Sequence, residues 1–208
     1  MHMDIKVLEE IAYKMMANRK AHIEREKGFI YYHGLRVSKV ALRLREKVLK
    51  EDCSHDDIII AACLFHDIGK GIEPHGKYGA VLARDILKEY CTEDEINEIA
   101  NIIYNHSLRT KNNDYSEYVK IVQDADMLDH FGSIEIWMNF LYSAHKDQSI
   151  SKALDFYDNQ YKFEVEKCRE LLNYEVSREI FDEKVSFAIS FINRLKKESE
   201  GEIFISCK

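Results

Sequence analysis

Ser54-His55-Asp56-Asp57-Ile58-Ile59-Ile60-Ala61-Ala62-Cys63-Leu64-Phe65-His66-Asp67-Ile68-Gly69-Lys70 is the stretch that decides the fold. Ser54 and Asp57 stand at capping-box spacing, an unbroken apolar run follows, and Gly69 supplies a stop, so the spacing predicts a buried helix with His66 and Asp67 in its last turn. A carboxylate in that setting is costly to desolvate unless an ion or a hydrogen bond compensates it. The same stretch holds its own control. His55-Asp56 is also His-Asp, but it lies in the first turn, where favourable interaction with the helix dipole accounts for Asp56 and Asp57.

Helical periodicity continues in both directions. Upstream, Ile5, Leu8 and Ile11 open a helix behind Asp4, with Gly28 as its expected stop. In the next helix, His33 shares a face with Val37, Val40 and Leu44, so the imidazole points inward. Downstream, a helix after Pro74 is expected to bury Tyr78, Val81, Leu82 and Ile86, with His75 near its beginning. Thr92 and Glu95 form a second capping box, and the stripe Ile96, Ile99, Ile103 ends in His106. Ser107 to Asp114, with Arg109, Lys111, Asn112 and Asn113, reads as a surface loop. Helical spacing resumes from Tyr118 to Phe131 and carries Asp124, Asp126 and Asp129. From Gly132 onward two or three further amphipathic helices are expected, including a long one through Ile180, Val185, Ile189 and Ile192, and the charged tail after Lys196 reads as frayed surface. Strand signals are scarce, so the fold class is all-α. With 208 residues, one proline and no repeat, the chain reads as a single domain.

Composition narrows the function. Hydrophobic residues at 46% and charged residues at 32% suit a globular protein with a sizeable core rather than a disordered one. A net charge of −7 opposes binding to polymeric nucleic acid, while a local basic pocket for a small phosphate compound stays open. No apolar run approaches the ~20 residues needed to cross a membrane, and Met1 to Asp4 lacks the apolar core of a signal peptide, so a cytoplasmic location is expected. The five cysteines show no C-x-x-C spacing and are read as free thiols. Trp137, Phe140 and Tyr142 suit either the core, which is preferred, or the face of a homodimer.

His33, the pair His66-Asp67, His106 and the carboxylates near Asp126 all sit on or beside inward helical faces. Their convergence would make a metal site. Nitrogen and oxygen donors without thiolate suit a divalent ion such as Mn²⁺, Fe²⁺, Co²⁺ or Ni²⁺ better than Mg²⁺, and nothing demands Zn²⁺.

The ordered pieces His33-Gly34-Leu35-Arg36-Val37, Leu64-Phe65-His66-Asp67-Ile68-Gly69-Lys70 and Ile121-Val122-Gln123-Asp124-Ala125-Asp126-Met127-Leu128-Asp129 resemble the H…HD…D pattern of the HD-domain metal-dependent phosphohydrolases. The resemblance runs from Tyr31 to Phe140, with the C-terminal helices completing the fold. It implies a phosphodiesterase-like helical bundle in which His33, His66, Asp67 and Asp126 hold a divalent metal ion, and in which activated water attacks phosphorus in a nucleotide or another small phosphorylated metabolite. Asp124 is the alternative last ligand. Asp126 is preferred because Ala125 to Leu128 match the family form Ala-Asp-x-Leu, and because Asp126 lies nearer Val119 and Val122 on a helical wheel. Asp129 also faces inward and suits a hydrogen-bond partner of a ligand.

Pro74 to Ala80 and Asn105-His106-Ser107 are similar to segments of family members with additional histidines. There His75 and His106 would serve a second metal or the substrate phosphate. By this likeness Asp67 accepts the water's proton, and His106 or His75 binds phosphate or protonates the leaving oxygen. Lys70 is the first candidate phosphate contact, with Arg36 and Arg109 as further ones that equally suit a solvated surface. His75 also fits the polar entry to its helix, and His106 a core histidine bonded to a carbonyl. His2, His22, His130 and His145 read as surface or ordinary packing. The alternatives are a cyclic nucleotide or dinucleotide phosphodiesterase and a non-catalytic metal-containing sensor. Gly69-Lys70-Gly71 and Asn105-His106 depart from the Gly-Tyr-Pro and His-His of dinucleotide enzymes, and the complete ligand set argues against the sensor.

Overall fold

The computed structural model describes residues 3–110 and 114–205. Ten α-helices and no strand occur among them: α1 (Ile5–Met16), α2 (Phe29–Val48), α3 (Asp56–Phe65), α4 (His75–Leu87), α5 (Glu93–Asn105), α6 (Glu117–Asp129), α7 (Ser133–His145), α8 (Ile150–Asn159), α9 (Tyr161–Leu171) and α10 (Glu175–Ser199). Lys111, Asn112 and Asn113 of the expected loop lie outside the described residues, as do His2 and Cys207.

Local chemistry sets several helix boundaries. Asp4 accepts from the Lys6 and Val7 amides and so starts α1. That helix ends at Met16, well before Gly28. Gly28 instead precedes α2 with φ 79°, its amide donating to the Arg19 carbonyl at 2.9 Å. A Cβ there would come within 2.4 Å of the Ala17 carbonyl oxygen, so this turn needs glycine for both conformation and space. Thr92 and Glu95 cap α5 reciprocally, as their spacing predicts. The box expected at Ser54 does not form. His55 occupies the position before α3, and the Ser54 hydroxyl donates to Asp52.

α2, α3, α5 and α6 pack around a core that includes Ile30, Phe65, Ile99 and Ile121, with Leu8 from α1 and Phe181 from α10 joining it. Burying each of these large side chains contributes roughly 1.5–3 kcal/mol. α4 departs from expectation. Its buried face is Gly76, Gly79, Ala80 and Ala83, whereas Tyr78, Val81 and Leu82 are exposed, Val81 at 60%. The small residues win because α4 passes close to α5: a Cβ on Gly76 would lie 2.8 Å from the Tyr104 carbonyl oxygen. This close approach brings His75 to the end of α5.

The chain after Gly132 forms four helices rather than two or three. Trp137 is 54% exposed and Tyr142 is exposed, contrary to the core placement, while Phe140 is half-buried against the core. The tail after Lys196 continues α10 to Ser199, and the Phe204 ring then lies 3.8 Å from the Arg194 guanidinium carbon. Cys53, Cys63, Cys91 and Cys168 are free thiols. No described helix is long and apolar enough to cross a membrane.

Candidate metal centre

α2, the turn after α3, the end of α5 and α6 each deliver a polar side chain to one buried point. His33 from α2 sits 3.2 Å, Nε2 to Nε2, from His66, with Asp126 Oδ1 at 3.0 Å from His33 and 3.8 Å from His66. His66 follows the last residue of α3, and its Nδ1–H donates to the Cys63 carbonyl at 2.7 Å. That bond leaves the His66 Nε2 lone pair facing inward. His106, just beyond α5, is pinned in the same way by the Ile103 carbonyl at 2.6 Å, and its Nε2 lies 3.7 Å from Asp67 Oδ1. His75 completes the row at 3.2 Å from His106 and 3.6 Å from Asp67.

Two donor sets result, His33–His66–Asp126 and His66–Asp67–His106. In each the ligand atoms lie within 4.8 Å of one another and every residue is buried. The donors are imidazole nitrogens and carboxylate oxygens with no thiolate, which fits a first-row divalent ion. Nitrogens 3.2 Å apart can also share one ion at the usual ~2.1 Å metal–nitrogen distance.

Partners outside each set hold it in place. Asp129 accepts from His33 Nδ1–H at 2.7 Å and is itself gripped by Arg36 through Nε and Nη2, each at 2.9 Å. Phe29 stacks on the His33 ring at 5.5 Å. Arg109 donates to Asp126 Oδ2 and to the Gln123 carbonyl. Burial alone would lower the His33 pKa, yet its hydrogen bonds to Asp126 and Asp129 outweigh burial and push it up to about 9. Burial dominates at His66 and lowers it to about 4. Burial opposes ionisation of Asp67 and Asp126 as well, but neighbouring basic side chains and hydrogen bonds hold both well below the usual carboxylate range. The leading ones are His66 and His106 for Asp67, and Arg109 and His33 for Asp126.

Lys70 reaches Asp67 at 3.5 Å and borders a cavity of about 860 Å³, as do His75, His106 and Arg109. Arg36 is not among the cavity-lining residues and spends its guanidinium on Asp129. Asp124 is turned away from the centre. It accepts from the Asn173 amide at 2.9 Å, the Tyr174 amide at 3.1 Å and Asn173 Nδ2 at 2.8 Å, fastening the α9–α10 turn to α6.

His130 is the residue that sequence reasoning passed over. Its ring lies 4.6 Å from that of His33, and its Nδ1–H donates to the Asp126 carbonyl at 2.8 Å. The signal was present, since His130 stands four residues after Asp126 and so on the same helical face. His22 is half-buried beside Phe29, and His145 is exposed, in keeping with ordinary roles.

Fold and site together define an all-helical protein with a buried histidine–aspartate centre at one end of a deep cavity. Residues 30–130 match the family model described as HD domain, and this segment is an HD domain. The YpgQ protein of Bacillus subtilis (strain 168) is 26% identical over 82 residues, which is 39% of this chain and 40% of that protein. The chain thus aligns in sequence with less than half of that relative's length. The crystal structure of B. subtilis YpgQ in complex with ADP has a TM-score of 0.66 at 19% identity, covering 94% of this chain and 97% of that one. An HD-superfamily hydrolase from Bacillus thuringiensis gives 0.68 at 24% identity, with coverage of 95% and 97%. The Lin1889 protein from Listeria innocua gives 0.62 at 24%, with coverage of 97% and 100%. These likenesses establish a shared fold.

Proposed function

We propose that this protein is a metal-dependent phosphohydrolase acting on a nucleotide. The observation that carries the reading is the meeting of His33, His66, Asp67, His106 and Asp126 in two donor sets that share His66, at the end of a cavity bordered by Lys70 and Arg109. His33, His66, Asp67 and Asp126 would hold the ion. A divalent ion bound there supplies Lewis acidity, making water more acidic and offsetting negative charge on a phosphoryl group.

The chain's own groups do the rest. The Cys63 carbonyl and Asp129 fix the tautomers and ring planes of His66 and His33, so no reorientation accompanies the reaction. Asp67, held ionised by its neighbours, accepts the proton of the attacking water. His106 and His75 stand side by side at the cavity edge, placed to bind phosphoryl oxygens or to protonate the leaving oxygen. The Lys70 ammonium pairs with a non-bridging phosphate oxygen. Arg109 steadies Asp126 while its unpartnered Nε remains beside the cavity. The volume of about 860 Å³ lies in the range of small-molecule sites, and the ADP complex of YpgQ supports a nucleotide as the occupant.

The test is release of phosphate or pyrophosphate from a nucleotide panel by protein supplied with Mn²⁺ or Co²⁺. Wild type is expected to turn over, and His66→Ala and Asp67→Ala to be inactive. Release that survives both substitutions overturns the reading.

A further inference from the structure

The cavity continues from the imidazoles to a second wall that the proposed chemistry does not use. Glu135 in the first turn of α7, Ser143 further along that helix and Tyr161 at the start of α9 border it there, and Tyr157 on α8 adjoins Glu135. Glu135 is only 8% exposed, and the Tyr157 and Tyr161 hydroxyls adjoin its carboxyl without closing a well-formed hydrogen bond to either oxygen. The hydroxyls of Ser143, Tyr157 and Tyr161 are likewise buried without a well-formed hydrogen bond. These four side chains supply most of the buried side-chain oxygens without a well-formed hydrogen bond among the described residues. Burial raises the Glu135 pKa to about 7, and the adjacent tyrosine hydroxyls pull it back only in part.

Unpaired buried groups are expensive, so such a cluster on a cavity wall marks a surface that a ligand completes. Aromatic rings accompany it. Phe156 and Tyr161 border the cavity with centroids 5.8 Å apart, and Asn139 and Gln148 add side-chain amides. The histidine–aspartate end of the cavity therefore offers cations and imidazoles, and the rest of its wall offers rings, amides, the Lys152 ammonium and the carboxyls of Glu135, Asp155 and Glu164, of which Glu135 is the buried one. A flat heteroaromatic base joined to phosphate matches both ends.

Among the common bases, guanine places two adjacent N–H donors, N1–H and the N2 amino group, on a single edge, where a carboxylate can accept both. Adenine, cytosine and uracil each set a donor beside an acceptor. The N-terminus of α7 also favours the anionic form of Glu135 once those donors arrive. We infer that Glu135 reads the guanine base of a nucleotide whose phosphates lie at the histidine–aspartate end of the cavity. This rests on the nucleotide reading above.

The test is calorimetric binding of the non-hydrolysable α,β-methylene diphosphates of guanosine, inosine and adenosine to the Mn²⁺-supplied protein. Inosine lacks only the N2 amino group, so it isolates one of the two donors. The guanosine analogue is expected to bind about tenfold or more tightly than the other two, in line with bidentate base readout. Glu135→Gln should bring the three affinities together while all three still bind through their phosphates. Equal wild-type affinity for guanosine and inosine, tighter binding of adenosine, or a guanosine preference that survives Glu135→Gln overturns the inference. Base-blind binding of all three defeats this inference alone, whereas binding of none defeats the nucleotide reading with it. The wild-type comparison stands even if the variant fails to fold.

Discussion

One His-Asp pair stands at the start of α3 and another just past its end. At the start, His55 stacks on Tyr118 at 4.3 Å and meets Glu98 at 3.2 Å, while Asp56 takes two hydrogen bonds from Arg45, at 2.7 and 2.6 Å. Every charge there is answered locally, near the surface. At the end, His66 and Asp67 project into a space walled by α2, α5 and α6, where His33, His106 and Asp126 face them. The dipeptide itself is chemically mute. It gains a metal-binding capacity only where separate helices aim further donors at the same point.

The largest test of this contrast is catalytic. His66→Ala and Asp67→Ala should each lower metal-supported hydrolysis by about 10³-fold or more, as removal of a central catalytic group does, and His55→Ala should stay within about twofold. Similar losses at both ends would break the comparison. A second pair of look-alikes, Asp124 and Asp126, sharpens it. Elemental analysis should show the ion depleted in Asp126→Ala and retained in Asp124→Ala. The latter should instead lose about 1–3 kcal/mol of stability in a denaturant melt, because the Asn173 and Tyr174 amides are left without an acceptor.

At the surface end, Asp56→Ala should cost about 1 kcal/mol through loss of the Arg45 pair, or roughly 2–4 °C in Tm for a chain of this size, with turnover unchanged. The smallest effect concerns pH. Hydrogen bonds from Ser54 and Tyr118 lower Asp52 to about 2. Its folded pKa thus lies below the ordinary 3.8, so the stability it contributes is present above that value and is lost as pH falls through about 2. Wild type should therefore lose slightly more Tm across that acid window than Asp52→Asn does.

Much of the histidine–aspartate end was legible in the sequence because its signals are local. The apolar stripe that begins at His33, the one that ends in His106, and the capping box at Thr92 need only helical periodicity to be read. α4 misled for a physical reason: its apolar stripe and its small-residue stripe compete, and the close approach to α5 selects the small one. The wheel angle separates Asp124 from Asp126 but says nothing of the amides, almost fifty residues later in sequence, that occupy Asp124. The wall at Glu135 was illegible for the same reason, since its character comes from contacts among α7, α8 and α9. Hydrophobicity alone puts Trp137 and Tyr142 inside, but α7 borders an open cavity, so Tyr142 lines that cavity and Trp137 is left in water.

The grip of Arg19 on the loop after α3 has one more consequence. Its guanidinium donates to the Ile68 carbonyl at 2.6 Å and also to the Lys70 carbonyl, from a residue upstream of the segment that matches the family. Asn173 and Tyr174 clasp the same segment from the opposite flank through Asp124. The stretch that matches the HD domain is therefore not a self-sufficient piece: an excised 30–130 fragment would carry all the proposed ligands yet lack both clamps on the segments that bear them.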